Sequence, residues 1–227
     1  MELSDNTLHV LKNFASINQN IVITEGQTVS TISDARNIMS QAQLDTPFTQ
    51  KFGIYDLNEF LNVISLVDTP QLQFDSNYVM VSDASGRARA KYFFSDPEML
   101  TSPNKEIVMP PPEVSFTLSN STLNKIKRAA SVMGHSEVSV ASVDNVICLS
   151  VVDSQDKTSN VFSVDVGGEY EQEDFNFIVK IDNLKVIPGD YKVSMSSLLI
   201  SHFVNEQLPI QYWIALEKNS TYGEQTS

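Results

Sequence analysis

Cysteine is nearly absent: Cys148 is the single thiol in 227 residues. One thiol excludes an internal disulfide framework and a zinc site of several cysteines. Its setting, "NVICLSVV", is apolar, so it reads as a buried structural thiol. Positive charge is scarce as well: 15 Lys and Arg stand against 28 Asp and Glu, a formal net charge of −13. That balance argues against indiscriminate binding to nucleic acid or anionic membrane, but not against a local basic surface. No apolar run approaches the roughly 20 residues of a membrane span. The amino terminus "MELSDNTLHV" has neither the basic nor the apolar region of a secretory leader. The expectation is a soluble, intracellular protein.

Chemical motifs are missing too. Nothing matches a phosphate-cradling G-x-x-x-x-G-K-[ST] or G-x-G-x-x-G loop, or a G-x-S-x-G elbow. His9, His135 and His202 are far apart and form no H-x-x-x-H pair. The acidic run "GGEYEQED", with Glu169, Glu171, Glu173 and Asp174, lacks the register of a calcium loop and reads as a solvated turn. No cofactor and no metal are expected. A carboxylate pair brought together by folding can still serve glycoside or phosphate chemistry. An α+β enzyme with an unrecognised carboxylate site therefore stays open as an alternative, as does a structural protein with a tandem fold. The lack of any recognisable site favours binding or scaffolding.

The apolar fraction of 41% supports a real core. Five of the nine prolines, Pro97, Pro103, Pro110, Pro111 and Pro112, fall in one short stretch. Such a stretch neither continues a helix nor fills a ladder regularly. It predicts two domains, 1–95 and 113–227, joined by a linker over 96–112. Each half reads helix, strands, helix, strands, an α+β pattern of two helices against antiparallel sheet. In the first half, Asp5 or Asn6 caps a helix with Leu8, Leu11, Phe14 and Ile17 on one face, and strands follow near 21–33, 36–43 and 46–52. A second helix, near 57–66, is capped by Asp56. "QLQF", "YVMVSD" and "RARAKYFF" read as strands. In the second half, Ser119 or Asn120 caps a helix with Leu123, Ile126, Ala130 and Met133 inward and Gly134 as its stop. Strands are expected in "SEVSVASV", "NVICLSVV" and "NVFSVDV". "FNFIVKIDNLKVIPGDY" reads as a strand entering a short helix at 183–187, capped by Asp182. Three more strands follow.

The stretch "STLNKIKRAASVMG" gathers Lys125, Lys127 and Arg128 within four positions of an acidic chain. Helical phase puts Arg128 opposite the apolar stripe, with the two lysines flanking it. The first helix shows His9, Lys12, Asn13 and Ser16 outward, without an acid. The helix at 57–66 breaks the pattern with Glu59. Charged outer faces are ordinarily plain solvated surface. The contrast with the acidic remainder suits a protein that holds a polyanion on one surface and repels it elsewhere.

"VLKNFASIN" at 10–18, "IYDLNEFLNVISLV" at 54–67 and "DFNFIVKIDNLKVIPGDYKV" at 174–193 carry a resemblance that covers essentially the whole chain. The sequence resembles the DNA sliding clamps, the polymerase processivity factors, of T-even-type bacteriophages. That resemblance implies two domains of similar topology and a head-to-tail homotrimeric ring around duplex DNA, with helices lining the hole. It implies sequence-independent contact through Lys12, Lys125, Lys127, Arg128 and Lys185, and no catalysis. It implies a replicative DNA polymerase and a clamp-loader ATPase as partners, with a sigma-like factor and co-activator for late transcription, in the cytoplasm of an infected bacterium. Partner tails are expected at a pocket that includes Ile107, Val108 and Met109. The subunit junction is expected between strand 87–94, with Arg87, Arg89, Lys91 and Phe93, and strand 160–166, with Val161, Phe162, Val164 and Asp165. Arg87, Arg89 and Lys91 are expected to face Asp165 and Glu169 there. Proline at Ala90 and at Ser163 is expected to break that pairing.

Overall fold

The computed structural model describes residues 1–156, 158–171 and 173–223. The carboxyl-terminal end of the second expected domain, residues 224–227, lies outside the described residues, as does residue 172 of the acidic run. The chain divides into two compact units, Met1–Lys105 and Glu106–Ser227.

The first unit opens with α1 (Asp5–Ile17). Its cap is Ser4, whose hydroxyl accepts the Thr7 N–H, rather than Asp5 or Asn6. The helix starts one residue earlier than the sequence suggests because Ser4 Oγ also donates to Asp45, 2.7 Å away. Thr7, Val10, Leu11, Phe14 and Ile17 are buried, while Leu8 stays half-exposed. Next come β1 (Ile21–Ile23) and β2 (Gly26–Ile32), separated where Gly26 takes φ +114° beside a bulge. β3 (Ile38–Phe48) is one long strand where two were expected, and β4 (Phe52–Ile54) follows it. α2 (Leu57–Ile64) is capped by Asp56, which accepts the Glu59 N–H. That bond is the largest of the effects holding the Asp56 carboxyl below its ordinary pKa. β5 (Gln71–Phe74), β6 (Tyr78–Ser82) and β7 (Arg89–Phe93) form a three-stranded sheet in the order β5-β6-β7, with β7 on its edge. A 3-10 turn, Pro97–Met99, comes after it.

The second unit begins with β8 (Val114–Leu118) and α3 (Asn120–Met133). Ser119 caps α3, Asp190 accepts the Asn120 N–H at 2.7 Å, and Gly134 stops the helix at φ +71°. Leu123, Ile126 and Ala130 are buried, whereas Met133 is only half-buried. β9 (Glu137–Val143), β10 (Val146–Val152), β11 (Phe162–Val166), β13 (Phe175–Lys180) and β17 (Thr221–Tyr222) form a sheet in the order β11-β10-β9-β13-β17. β12 (Gly168–Tyr170), β14 (Tyr191–Ser196), β15 (Ile200–Asn205) and β16 (Ile210–Ala215) pair with β8 in the order β12-β8-β14-β15-β16. α3 lies against β10 and β11. Cys148 is a buried free thiol.

Two expectations need correction here. The second helix of the second half is only a 3-10 turn, Ile181–Asn183, and no side chain caps it, so Asp182 is not a cap. Asn183, Leu184, Val186 and Ile187 are all buried. A helix buries one stripe, whereas this run is enclosed on several sides, and Pro188 ends it. The described residues therefore hold three α-helices instead of two in each half. The acidic run is not just a turn either: Gly168–Tyr170 is strand β12, paired with Phe116, Ser115 and Val114. A Cβ on Gly168 would lie 2.4 Å from the Ser115 carbonyl, so glycine permits that close approach.

Candidate nucleic-acid interface and subunit edges

The cations of α3 sit as helical phase requires. Lys125 and Arg128 are exposed, beside Asn124 and Ser131. Lys127 departs from the expected exposure: it is half-buried, and burial pushes its ammonium below the ordinary lysine pKa. No ion pair to Lys127 occurs among the described residues, so its charge is only partly solvated and unneutralised within the subunit. On α1, Lys12 and His9 are exposed. On α2, Glu59 is exposed, and its charge helps raise the Tyr92 hydroxyl pKa, after burial itself. Lys185 is exposed in the segment after the 3-10 turn, not on a helix as expected.

The two strands expected at a junction are both sheet edges within their own units. β7 spans Arg89–Phe93, while Arg87 lies in the preceding turn, its N–H bonded to Asp83 Oδ1 at 3.0 Å. Tyr92 points toward α2: its ring meets Phe60 edge-on at 5.2 Å, and its hydroxyl reaches the Asp56 carbonyl at 3.3 Å. Arg89, Lys91 and Phe93 alternate onto the opposite face. There the Lys91 ammonium rests 3.8 Å above the Tyr78 ring and 5.4 Å from Phe93. Phe93 is 65% exposed. Sequence reading missed Tyr78. The signal was its place directly opposite Phe93 across the "YVMVS"/"RAKYF" hairpin.

Hydrogen bonds at the ends of this hairpin fix which backbone groups face outward. Phe94 donates to the Asn77 carbonyl at 2.9 Å, and Asp83 donates to the Ala88 carbonyl at 3.0 Å. In an antiparallel ladder, bonded and non-bonded pairs alternate. With Val79 opposite Tyr92 and Val81 opposite Ala90, the Ala90 and Tyr92 groups bond inward to β6. The outward N–H and C=O groups belong to Arg89, Lys91 and Phe93. Proline at Ala90 therefore cuts the subunit's own ladder and does not test a junction.

β11 spans Phe162–Val166, and Val161 precedes it, 57% exposed. Asn160 lies at its start, where its carbonyl meets His135 Nε2 at 2.8 Å. Val164 pairs with Leu149 and Asp165 with Cys148. Leu149 lines a small apolar cavity with Leu123 and Ile126, so Val164 shares the α3 side and Asp165 faces away from it. Glu169 is exposed on β12, in a different sheet from β11. In the segment before β8, Val108 is 82% exposed and Ile107 and Met109 are half-buried. Among the described residues no cluster of His, Cys, Asp or Glu could hold a metal, and no helix is long and apolar enough to cross a membrane.

Comparison with known proteins decides what this arrangement is. Residues 4–85 match the family described as DNA polymerase processivity factor, and residues 115–218 match the gp45 sliding clamp, C terminal. The sliding clamp of Vibrio phage KVP40 is 30% identical over 222 residues, 96% of this chain and 99% of that protein. The chain belongs to the sliding-clamp family of DNA polymerase processivity factors. The sliding clamp of Escherichia phage RB69 is 26% identical across 98% of this chain and 99% of its own. The clamp fold reaches further than sequence. A Proliferating Cellular Nuclear Antigen from Entamoeba histolytica superposes with a TM-score of 0.64 at 14% identity, covering 92% of this chain and 94% of its own. The PCNA2-PCNA3 complex from Sulfolobus tokodaii gives 0.66 at 14% identity, covering 96% and 98%. At that identity the likeness concerns the fold alone.

Proposed function

We propose that three copies join head to tail into a ring around duplex DNA, β7 of one copy beside β11 of the next, and that the ring tethers a replicative polymerase. The observation that carries this reading is that β7 in the first unit and β11 in the second are sheet-edge strands, each beside an exposed apolar side chain, Phe93 or Val161. An open edge presents free backbone groups to another chain. Two different edges pairing head to tail close a ring when the rotation closes. Lys12, Lys125, Lys127 and Arg128 face the phosphates from α1 and α3, with Lys185 near them. Phosphate contacts without base readout allow sliding. Lys127 suits this role, because an approaching phosphate neutralises a charge that burial disfavours.

The ring catalyses no reaction. It keeps the polymerase at the primer end by raising its effective concentration. Loading requires a separate ATPase. Ile107, Val108 and Met109, part-exposed and apolar, receive the tails of partners, among them the polymerase and the sigma-like factor and co-activator of late transcription. The domains divide as 1–95, linker 96–112 and 113–227, and the protein works in the cytoplasm of an infected bacterium. The test is primer extension by the cognate polymerase and loader on circular and on linear templates. Tract length should rise with the clamp on the circle and fall when free ends let the ring slip off. Equal stimulation on both templates would contradict topological tethering.

A further inference from the structure

We infer that the direction of ring closure is set by two opposed charge layers, Arg89 against Asp165 on the face away from the helices and Glu59 against the cations of α3 on the helix face. This rests on the head-to-tail reading above and adds what enforces it. On the β7 edge, Lys91 is already engaged by the Tyr78 ring, and its charge acts on Asp75. Arg89, exposed on the same face, has no ion-pair partner among the described residues. On the helix side of that edge, Asp56 is committed to its cap, whereas Glu59 is exposed and close enough to Tyr92 for its charge to act on the hydroxyl. So the β7 edge is positive on one face and negative on the other.

The β11 edge carries the reverse pattern. Asp165 points away from α3. α3 itself holds Lys125, Lys127 and Arg128 and no acid. When β7 of one copy meets β11 of another with their helices on one side, Arg89 meets Asp165 and Glu59 meets the basic helix. A β7–β7 pair instead brings the cationic faces of Arg89 and Lys91 together on one side and the two Glu59 side chains together on the other. A β11–β11 pair sets acid on acid and cation on cation. Like charges directly across neighbouring strands repel, and discrimination between partners requires such a repulsive element. Asp5, exposed in the first turn of α1, and Glu59 on α2 are the exposed acids of the three helices, and the layers give Glu59 a partner. Glu59 belongs to the junction and not to the DNA lining.

The experiment is sedimentation velocity at low and at moderate salt on charge-reversed full-length chains. Glu59→Lys, Arg89→Asp and Asp165→Arg should each raise the dissociation constant of a junction about 3–10-fold, less at moderate salt. Arg89→Asp combined with Asp165→Arg should return assembly to the wild-type level. Glu59→Lys combined with Lys125→Glu and Arg128→Glu should do the same for the inner layer. If the single reversals assemble like wild type at low salt, or a combination is no better than its parts, the charge layers are refuted. Lys91→Pro separates the two levels. Should it still break the ring, edge pairing stands without the charge layers; should it leave a stable trimer, both fail.

Discussion

Proline at Lys91 is the most informative single change. Its N–H points outward from the edge of β7, so the substitution leaves the ladder to β6 intact and removes one donor offered to a neighbouring copy. Edge strands tolerate proline in that position. The junction loses one hydrogen bond, a net of about 0.5–1.5 kcal/mol, and strands the opposing carbonyl, which brings the total to about 1–3 kcal/mol. That corresponds to about a 5- to 150-fold weaker junction. Loss of the ammonium from the Tyr78 ring adds about 0.5–1 kcal/mol to the subunit's own destabilisation, which Lys91→Ala measures separately. Ala90→Pro is the contrasting control, since it cuts the inward bond to β6 and should unfold or loosen the first unit. Circular dichroism and sedimentation velocity over a concentration series read both effects. A folded Lys91→Pro chain as trimeric as wild type would refute the assignment of β7 to the junction.

Other expectations follow from the same geometry. Lys125→Glu with Arg128→Glu, both exposed, should change folding stability by less than about 0.5 kcal/mol each. Processive synthesis should shorten, most at higher salt, at concentrations where sedimentation shows full assembly; undiminished tract length would remove α3 from the DNA surface. Ile107→Ser with Met109→Ser should weaken capture of a polymerase carboxyl-terminal peptide in calorimetry while assembly persists, and unchanged affinity would exclude them. His202 stacks on Trp213 at 4.8 Å and bonds Gln211 at 2.9 Å, and burial holds its pKa below 6.5. The unfolded chain then binds the proton more readily, so stability falls as pH drops through 6.5 toward the lowered value. Urea titrations across that range should show this slope in wild type and lose it in His202→Gln; identical slopes would remove His202 as the cause.

The helices α1, α2 and α3 were legible because each buries one stripe and starts at a residue that caps it. The register of Ser4 was less so, since its partner Asp45 is distant in sequence. The missing fourth helix was misread because "NLKVI" is apolar enough for a helix face, yet its burial comes from several neighbours at once. β12 hid inside an acidic run because its pairing depends on Gly168 fitting against Ser115, a tertiary fact. The basic face of α3 could be read directly from phase. The half-buried state of Lys127 could not, because sequence does not show what packs beside the stem. The edge strands were legible as strands, but which of their N–H groups point outward depends on anchoring bonds such as Phe94 to Asn77.

The mass of the wild-type chain in solution tests the central claim most directly. Sedimentation equilibrium at micromolar concentration and low salt should give a species near three times 25.3 kDa. A strict monomer, persisting as concentration rises, would contradict a ring closed through β7 and β11.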